Sequence, residues 1–255
     1  MHRSWLVLLV VGALLVAGCS APGSPATSPD DIDYPAGWSE AGLTNTSAAV
    51  DTADASLADT DFVERRAFVE PLGPNATEDA LIRVLVVRVD REQSRLLTEE
   101  HFYRVSDEDV TRVTEEGVSV LSEYEPVESR LTYLNESGAY RYLNLSGRDP
   151  VVRSLDGGSY GAAIDQPLPA VFAATVDRFA AASYANPTAT DAGVRYEIAN
   201  VSMQPMGNAS GHLTVGPDGL VAEYVISESL EPGEVTLAYE LDVGDVSVDQ
   251  PTWLA

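Results

Sequence analysis

The order of apolar and polar positions divides this chain into a leader, a tether and one domain. Trp5 to Ala17 is a largely apolar run of thirteen residues behind a basic start, Met1-His2-Arg3. It ends on Val16-Ala17-Gly18-Cys19, small residues ahead of the single cysteine. A charged start, a short apolar stretch and small residues at a cut point form the pattern of a secretory signal peptide, here over 1–18. Thirteen residues are too few to span a bilayer as a helix, which needs about 20. Residues 19–37 are rich in Pro, Ser and Ala and poor in large apolar side chains, which predicts a flexible tether. The folded part is expected over 38–255, one domain by length.

Within that domain the periodicity changes several times. Thr44 to Asp59 predicts a helix capped by Asn45 or Thr46, with Val50, Ala53 and Leu57 on one face. From Phe62 onward the pattern is that of strands, and Leu81 to Val89 is rich in branched residues. Leu131–Leu134 and Ala139–Leu145 flank Asn135-Glu136-Ser137-Gly138, which reads as a hairpin turn. Leu168 to Tyr184 predicts a second helix, with proline near its start and Leu168, Phe172, Val176 and Phe179 along one face. In the last third Val194, Tyr196 and Ile198 alternate with Arg195, Glu197 and Ala199. Gly216-Pro217-Asp218-Gly219 joins two strands, with Leu220, Ala222, Tyr224 and Ile226 expected on one face. Val235, Leu237, Tyr239, Leu241 and Val243 alternate with mostly polar neighbours. Strands joined by short turns make an antiparallel sheet, and about two helices must cover its apolar face, an α+β arrangement.

Composition narrows the setting. The chain has 40 Asp and Glu against 15 basic residues, all arginine, and a net charge of −25. Such a chain repels itself, and molar salt shortens the screening length to about 3 Å. The thermal midpoint is therefore expected to rise as potassium chloride is raised from about 0.1 to 3 M; a flat response would show that repulsion does not limit stability. Nucleic acid is excluded as a partner, since phosphate binding needs basic patches. With 45% apolar residues the domain can still bury a core. Six of the seven asparagines begin Asn-X-Ser/Thr: Asn45, Asn75, Asn135, Asn144, Asn200 and Asn208. Chance pairing would give about one, so these are candidate N-glycosylation sites, which require exposure on the outer side of the membrane.

Gly18-Cys19 behind the apolar run resembles the lipobox of prokaryotic lipoproteins, in which the thiol receives a lipid and becomes the mature N-terminus. The lysine-free acidic composition is similar to that of haloarchaeal proteins. Together with the tether, the short helix, the strand meander, the central helix and the closing Val215-Gly216-Pro217-Asp218-Gly219-Leu220-Val221 hairpin, these features resemble a haloarchaeal lipoprotein family of unknown function. That family is similar in layout to LolA-like and LppX/LprG-like lipoproteins. The resemblance implies a curved half-barrel sheet whose concave face is covered by helices, with acyl chains held between. It implies a membrane-anchored location on the outer cell surface through lipid on Cys19. A pocket of that kind would be lined by Phe172, Val176 and Phe179 of the central helix and by Tyr224, Leu237 and Tyr239 of the strands.

Catalytic chemistry finds little support in the sequence. Gly157-Gly158-Ser159-Tyr160-Gly161 matches the hydrolase elbow pattern G-x-S-x-G, but no apolar strand precedes it and proline delays the helix after it. The mature histidines, His101 and His212, are isolated from each other in sequence, and no thiol is left once Cys19 is lipidated. No metal site and no cofactor are expected. Asp107-Glu108-Asp109 lacks calcium-loop spacing and reads as a solvated acidic run. Two non-enzymatic readings remain: a carrier of an apolar ligand such as a membrane lipid, or a structural or protein-interaction module of the cell envelope with a filled core. The oligomeric state is left open.

Overall fold

The structure, a computed structural model, describes residues 32–72, 80–164, 176, 178–203, 206–231 and 233–254. The signal pattern, Cys19, Asn75 and Phe172 lie outside the described residues. A short ribbon, β1 (Trp38–Ser39) and β2 (Gly42–Leu43), leads into α1 (Thr46–Leu57). Asn45 caps α1 by accepting from the Ala48 N–H at 3.1 Å, as its sequence position predicts.

Six strands then form a meander: β3 (Phe62–Pro71), β4 (Ala80–Asp90), β5 (Arg95–Val105), β6 (Glu128–Asn135), β7 (Gly138–Asn144) and β8 (Val151–Leu155). Between β5 and β6 run α2 (Asp107–Glu116) and a 3-10 helix, Val118–Glu123. A single helical turn, α3 (Tyr160–Ile164), follows β8, so a strand does precede Ser159 and a helix begins right after it, against the sequence expectation; that strand is an exposed edge of an antiparallel sheet. A second meander comprises β9 (Ser183–Thr190), β10 (Gly193–Met203), β11 (Met206–Val215), β12 (Val221–Ser229) and β13 (Glu234–Val243). Because β13 pairs with β3, the two meanders fuse into one antiparallel eleven-stranded sheet, ordered β8-β7-β6-β5-β4-β3-β13-β12-β11-β10-β9. The sheet stays open, and the fold is α+β as the periodicity implies.

Alternation along the strands sends side chains to two faces, and each face has its own core. On the first face Ala49, Ala53 and Leu57 of α1 pack with Trp38, Tyr196, Leu213, Tyr224, Ile226 and Tyr239. On the second face Val113 of α2 and Val118 and Leu121 of the 3-10 helix pack on Val63, Ile82, Val84 and Tyr103. The two longer helices thus cover opposite faces of the sheet instead of sharing one. The acidic run at 107–109 is the first turn of α2. Ser106 accepts from the Asp109 N–H, and the Asp109 carboxylate accepts from the Ser106 N–H, a capping box.

Three local expectations are corrected. The central helix does not reach Tyr184: Val176 and Arg178 are helical, a turn follows, and Tyr184 already belongs to β9. Its hydroxyl donates to the Phe179 carbonyl at 2.7 Å and its ring packs edge-on to Trp38 and Tyr196, contacts that fix the chain as strand. Ala222 does not share a face with Tyr224 and Ile226. The β11–β12 register moves from Thr214↔Glu223 to Val215↔Val221, which leaves Ala222 as the extra residue of a bulge. Finally, Ile32 and Tyr34 already pack against the first core, so the described chain is seated on the domain ahead of Trp38.

Candidate functional site

The residues expected to line an apolar pocket converge, but on one another. Tyr224 and Tyr239 are direct cross-strand partners whose rings stack at 4.9 Å with 4° between planes. Phe179 meets Tyr224 edge-on at 5.2 Å. Val176 and Phe179 are fully buried, and Tyr224 and Tyr239 are 2% and 1% exposed. Leu237 is only partly buried, packed against this group. Among the described residues these rings pack on one another, while Phe172, the remaining expected lining residue, lies outside the described residues.

Under the tyrosines lies a charged pair that alternation alone did not disclose. Glu64, 4% exposed, and Arg66 form an ion pair on the same face of β3, and Arg66 sits 5.9 Å from the Tyr239 ring centre. Burial pushes the Glu64 carboxyl up, and the Arg66 guanidinium pulls it partway back. Burial also opposes the charge on Arg66, and the Glu64 carboxylate beside it offsets that opposition. Burial pushes the Tyr224 hydroxyl up to about 12 and raises that of Tyr239 well above its ordinary value, so both are neutral near pH 7. The signal for the pair was Glu64 and Arg66 at i and i+2 in a strand-like run, which places both on one face.

The second face holds the histidines, with hollows beside each of them. His101 Nδ1 is 2.9 Å from the Ser129 hydroxyl, and its Nε2 is 3.9 Å from Glu99, the carboxylate paired with Arg88. These residue types suit a nucleophile and a base, yet Ser129 is buried and only His101 and Glu99 line the adjacent 260 Å³ hollow. Burial, helped by Arg88, lowers the His101 pKa and keeps the ring neutral. His212 lies in β11, beside Arg195 and Glu223, in a larger hollow of 630 Å³ that α2 borders through Thr114. Among the described residues no group of three His, Cys, Asp or Glu side chains could hold a metal ion.

Glu240 closes one side of the larger hollow and accepts from the Val118 N–H. Burial raises its carboxyl above the ordinary 4.5, while Val118 and Arg65 pull it down in part. A raised folded-state pKa contributes stability that is complete below 4.5 and is lost as pH rises through the shifted value. Glu240→Gln keeps an acceptor for Val118. It is expected to melt with wild type at pH 4 and above it at pH 7. A difference that does not widen with pH would contradict this.

Five of the six sequon asparagines lie among the described residues. Asn45, Asn144, Asn200 and Asn208 are exposed, and Asn135 is half-buried at the β6–β7 turn, accepting from the Ser137 and Gly138 N–H groups. Asn200 takes a left-handed φ of 59° and donates to the Ser183 hydroxyl. Among the described residues no helix is long and apolar enough to cross a membrane. No protein-family model and no curated protein matches the chain.

Proposed function

We propose that this chain is a lipid-anchored, non-enzymatic domain on the outer face of the cell membrane that serves as a protein-interaction module of the envelope. The observation that supports the reading is the Phe179–Tyr224–Tyr239 group, whose buried rings pack on one another where the resemblance would put a ligand. The anchor reading is supported by the leader ending at Gly18-Cys19, and the outward location by six sequons, four of whose asparagines are exposed among the five described. A purified sample in high salt is expected to show no saturable uptake of a fluorescent acyl probe; saturable uptake would favour the carrier instead.

The anchor has its own test. Cys19→Ser is expected to release the protein from membranes or to leave the leader uncut. Normal processing with unchanged membrane retention would overturn the anchor while leaving the interaction module untouched.

A further inference from the structure

The two edges of the eleven-stranded sheet are built differently. β9 is blunted. It carries Pro187, which has no N–H to offer, Asn186 sits at a φ of 50°, and its register with β10 shifts between Arg195 and Glu197. Trp38 of the β1–β2 ribbon packs against its Tyr184. These are devices that stop a sheet edge from pairing further. β8 has none of them. Its ladder with β7 runs regularly from Leu143↔Val151 to Ala139↔Leu155, it contains no proline, and Val151 to Ser154 are all exposed. Val151 and Val152 are 40% and 46% exposed and point to opposite faces.

Charge marks the same edge. Arg153 lies directly opposite Arg141, and Arg148 sits in the β7–β8 connection. Like charges directly opposite each other destabilise a sheet. The chain has 40 carboxylates for 15 arginines, and Arg65, Arg66, Arg83, Arg88, Arg112 and Arg130 each hold one or more of them. Arg141, Arg148 and Arg153 form no ion pair among the described residues; the Arg141 Nε donates only to the Thr132 hydroxyl, at 3.3 Å. Glu100, on the same face of β5, is already shared by Arg83 and Arg130. Asp149 in the same connection and Asp156 just after β8 flank these arginines without an ion pair to them among the described residues, so Arg153 and Arg141 stand on an unblunted edge with no carboxylate partner.

We propose that β8 is a strand-addition site that takes an extended, acidic segment of a partner protein. The proposal rests on the interaction-module reading and gives it a partner. The segment continues the sheet through the outward backbone groups of β8. Its carboxylates, on alternate residues, reach Arg153 and Arg141 in charge-assisted pairs, and its intervening side chains cover Val152. A second copy of this chain fits less well, because the register that matches all five residues of two antiparallel β8 strands sets Arg153 against Arg153.

A library of displayed random ten-residue peptides, selected on the full chain, tests this. The selected pool is expected to be acidic and rich in β-branched residues, and its best member to slow amide exchange in β8. Arg153→Glu gives Arg141 an internal partner, so the fold is expected to hold its midpoint while peptide affinity drops by about tenfold or more. Selection of neutral or basic peptides, no selection, or affinity unchanged in that variant would overturn the proposal. So would β8 protection that appears with rising protein concentration, which indicates a second copy, or with anionic phospholipid vesicles alone, which indicates a membrane surface. Peptides that protect another region would overturn the edge but leave the module reading standing.

Discussion

Phe179→Ala is expected to lower unfolding free energy by about 3–5 kcal/mol, the usual cost of emptying a phenylalanine site in a packed core. The ring is fully buried and lies edge-on to Tyr224, whose other face is covered by Tyr239. Removing it takes away apolar contact and leaves a cavity that two stacked tyrosines cannot collapse into without losing their own contact. For a domain whose whole stability is about 5–15 kcal/mol, this is a large fraction. The complementary change is Val176→Trp. In a ligand cavity an added indole would occupy open space with little effect on folding. In a filled core it overpacks, at about 1–3 kcal/mol. Both variants are read by chemical denaturation with urea in high salt. A Phe179→Ala loss below about 1 kcal/mol, together with a harmless Val176→Trp, would show space around these residues.

Arg66→Ala is the second large effect, again about 3–5 kcal/mol. The guanidinium is the only cation ion-paired with Glu64 among the described residues, and Glu64 is 4% exposed. Truncating Arg66 leaves a carboxylate in the core that must either stay charged without a partner or take up a proton. The variant should therefore recover stability as the pH is lowered, because protonation removes the uncompensated charge. Replacing both partners with apolar residues of similar volume should cost much less than the single change, since a buried pair and its apolar substitute are often close in free energy. Equal losses in the single and double variants would mean that the pair is not coupled as described.

Much of the fold was legible because its strands are half-buried and alternate. Val194-Tyr196-Ile198 and Val235 to Leu241 show their inward faces directly, and the Asn135–Gly138 and Gly216–Gly219 turns carry the residues such turns require. The errors arose where one signal hid another. Asp107-Glu108-Asp109 reads as a solvated run by charge, and Glu108 is exposed, but charge hid that Ser106 three residues before Asp109 makes the run a helix start. The run to Tyr184 has helical spacing, and its end is held as a strand by the β9–β10 ladder and by the distant rings of Trp38 and Tyr196. Helical spacing also could not say which face of the sheet a helix would cover. α1 and α2 are separated in sequence by three strands and settle on opposite sides.

The site residues show the same division. Phe179, Tyr224 and Tyr239 were recognisable as inward-facing, and alternation predicts convergence of that kind. Whether converging rings enclose space or fill it depends on the 4.9 Å stack, a distance that no sequence pattern encodes. The Arg141–Arg153 juxtaposition was hidden for a similar reason, since two arginines twelve residues apart become neighbours only through the β7–β8 register.

The central claim is a filled core in an envelope-anchored interaction domain, and native mass spectrometry of protein purified from its own membranes tests it most directly. The account predicts a mass explained by the mature chain, one covalent lipid on Cys19 and glycans, with no noncovalent lipid released on activation. A stoichiometric lipid that dissociates from the folded domain, and whose loading falls in Val176→Trp, would contradict it.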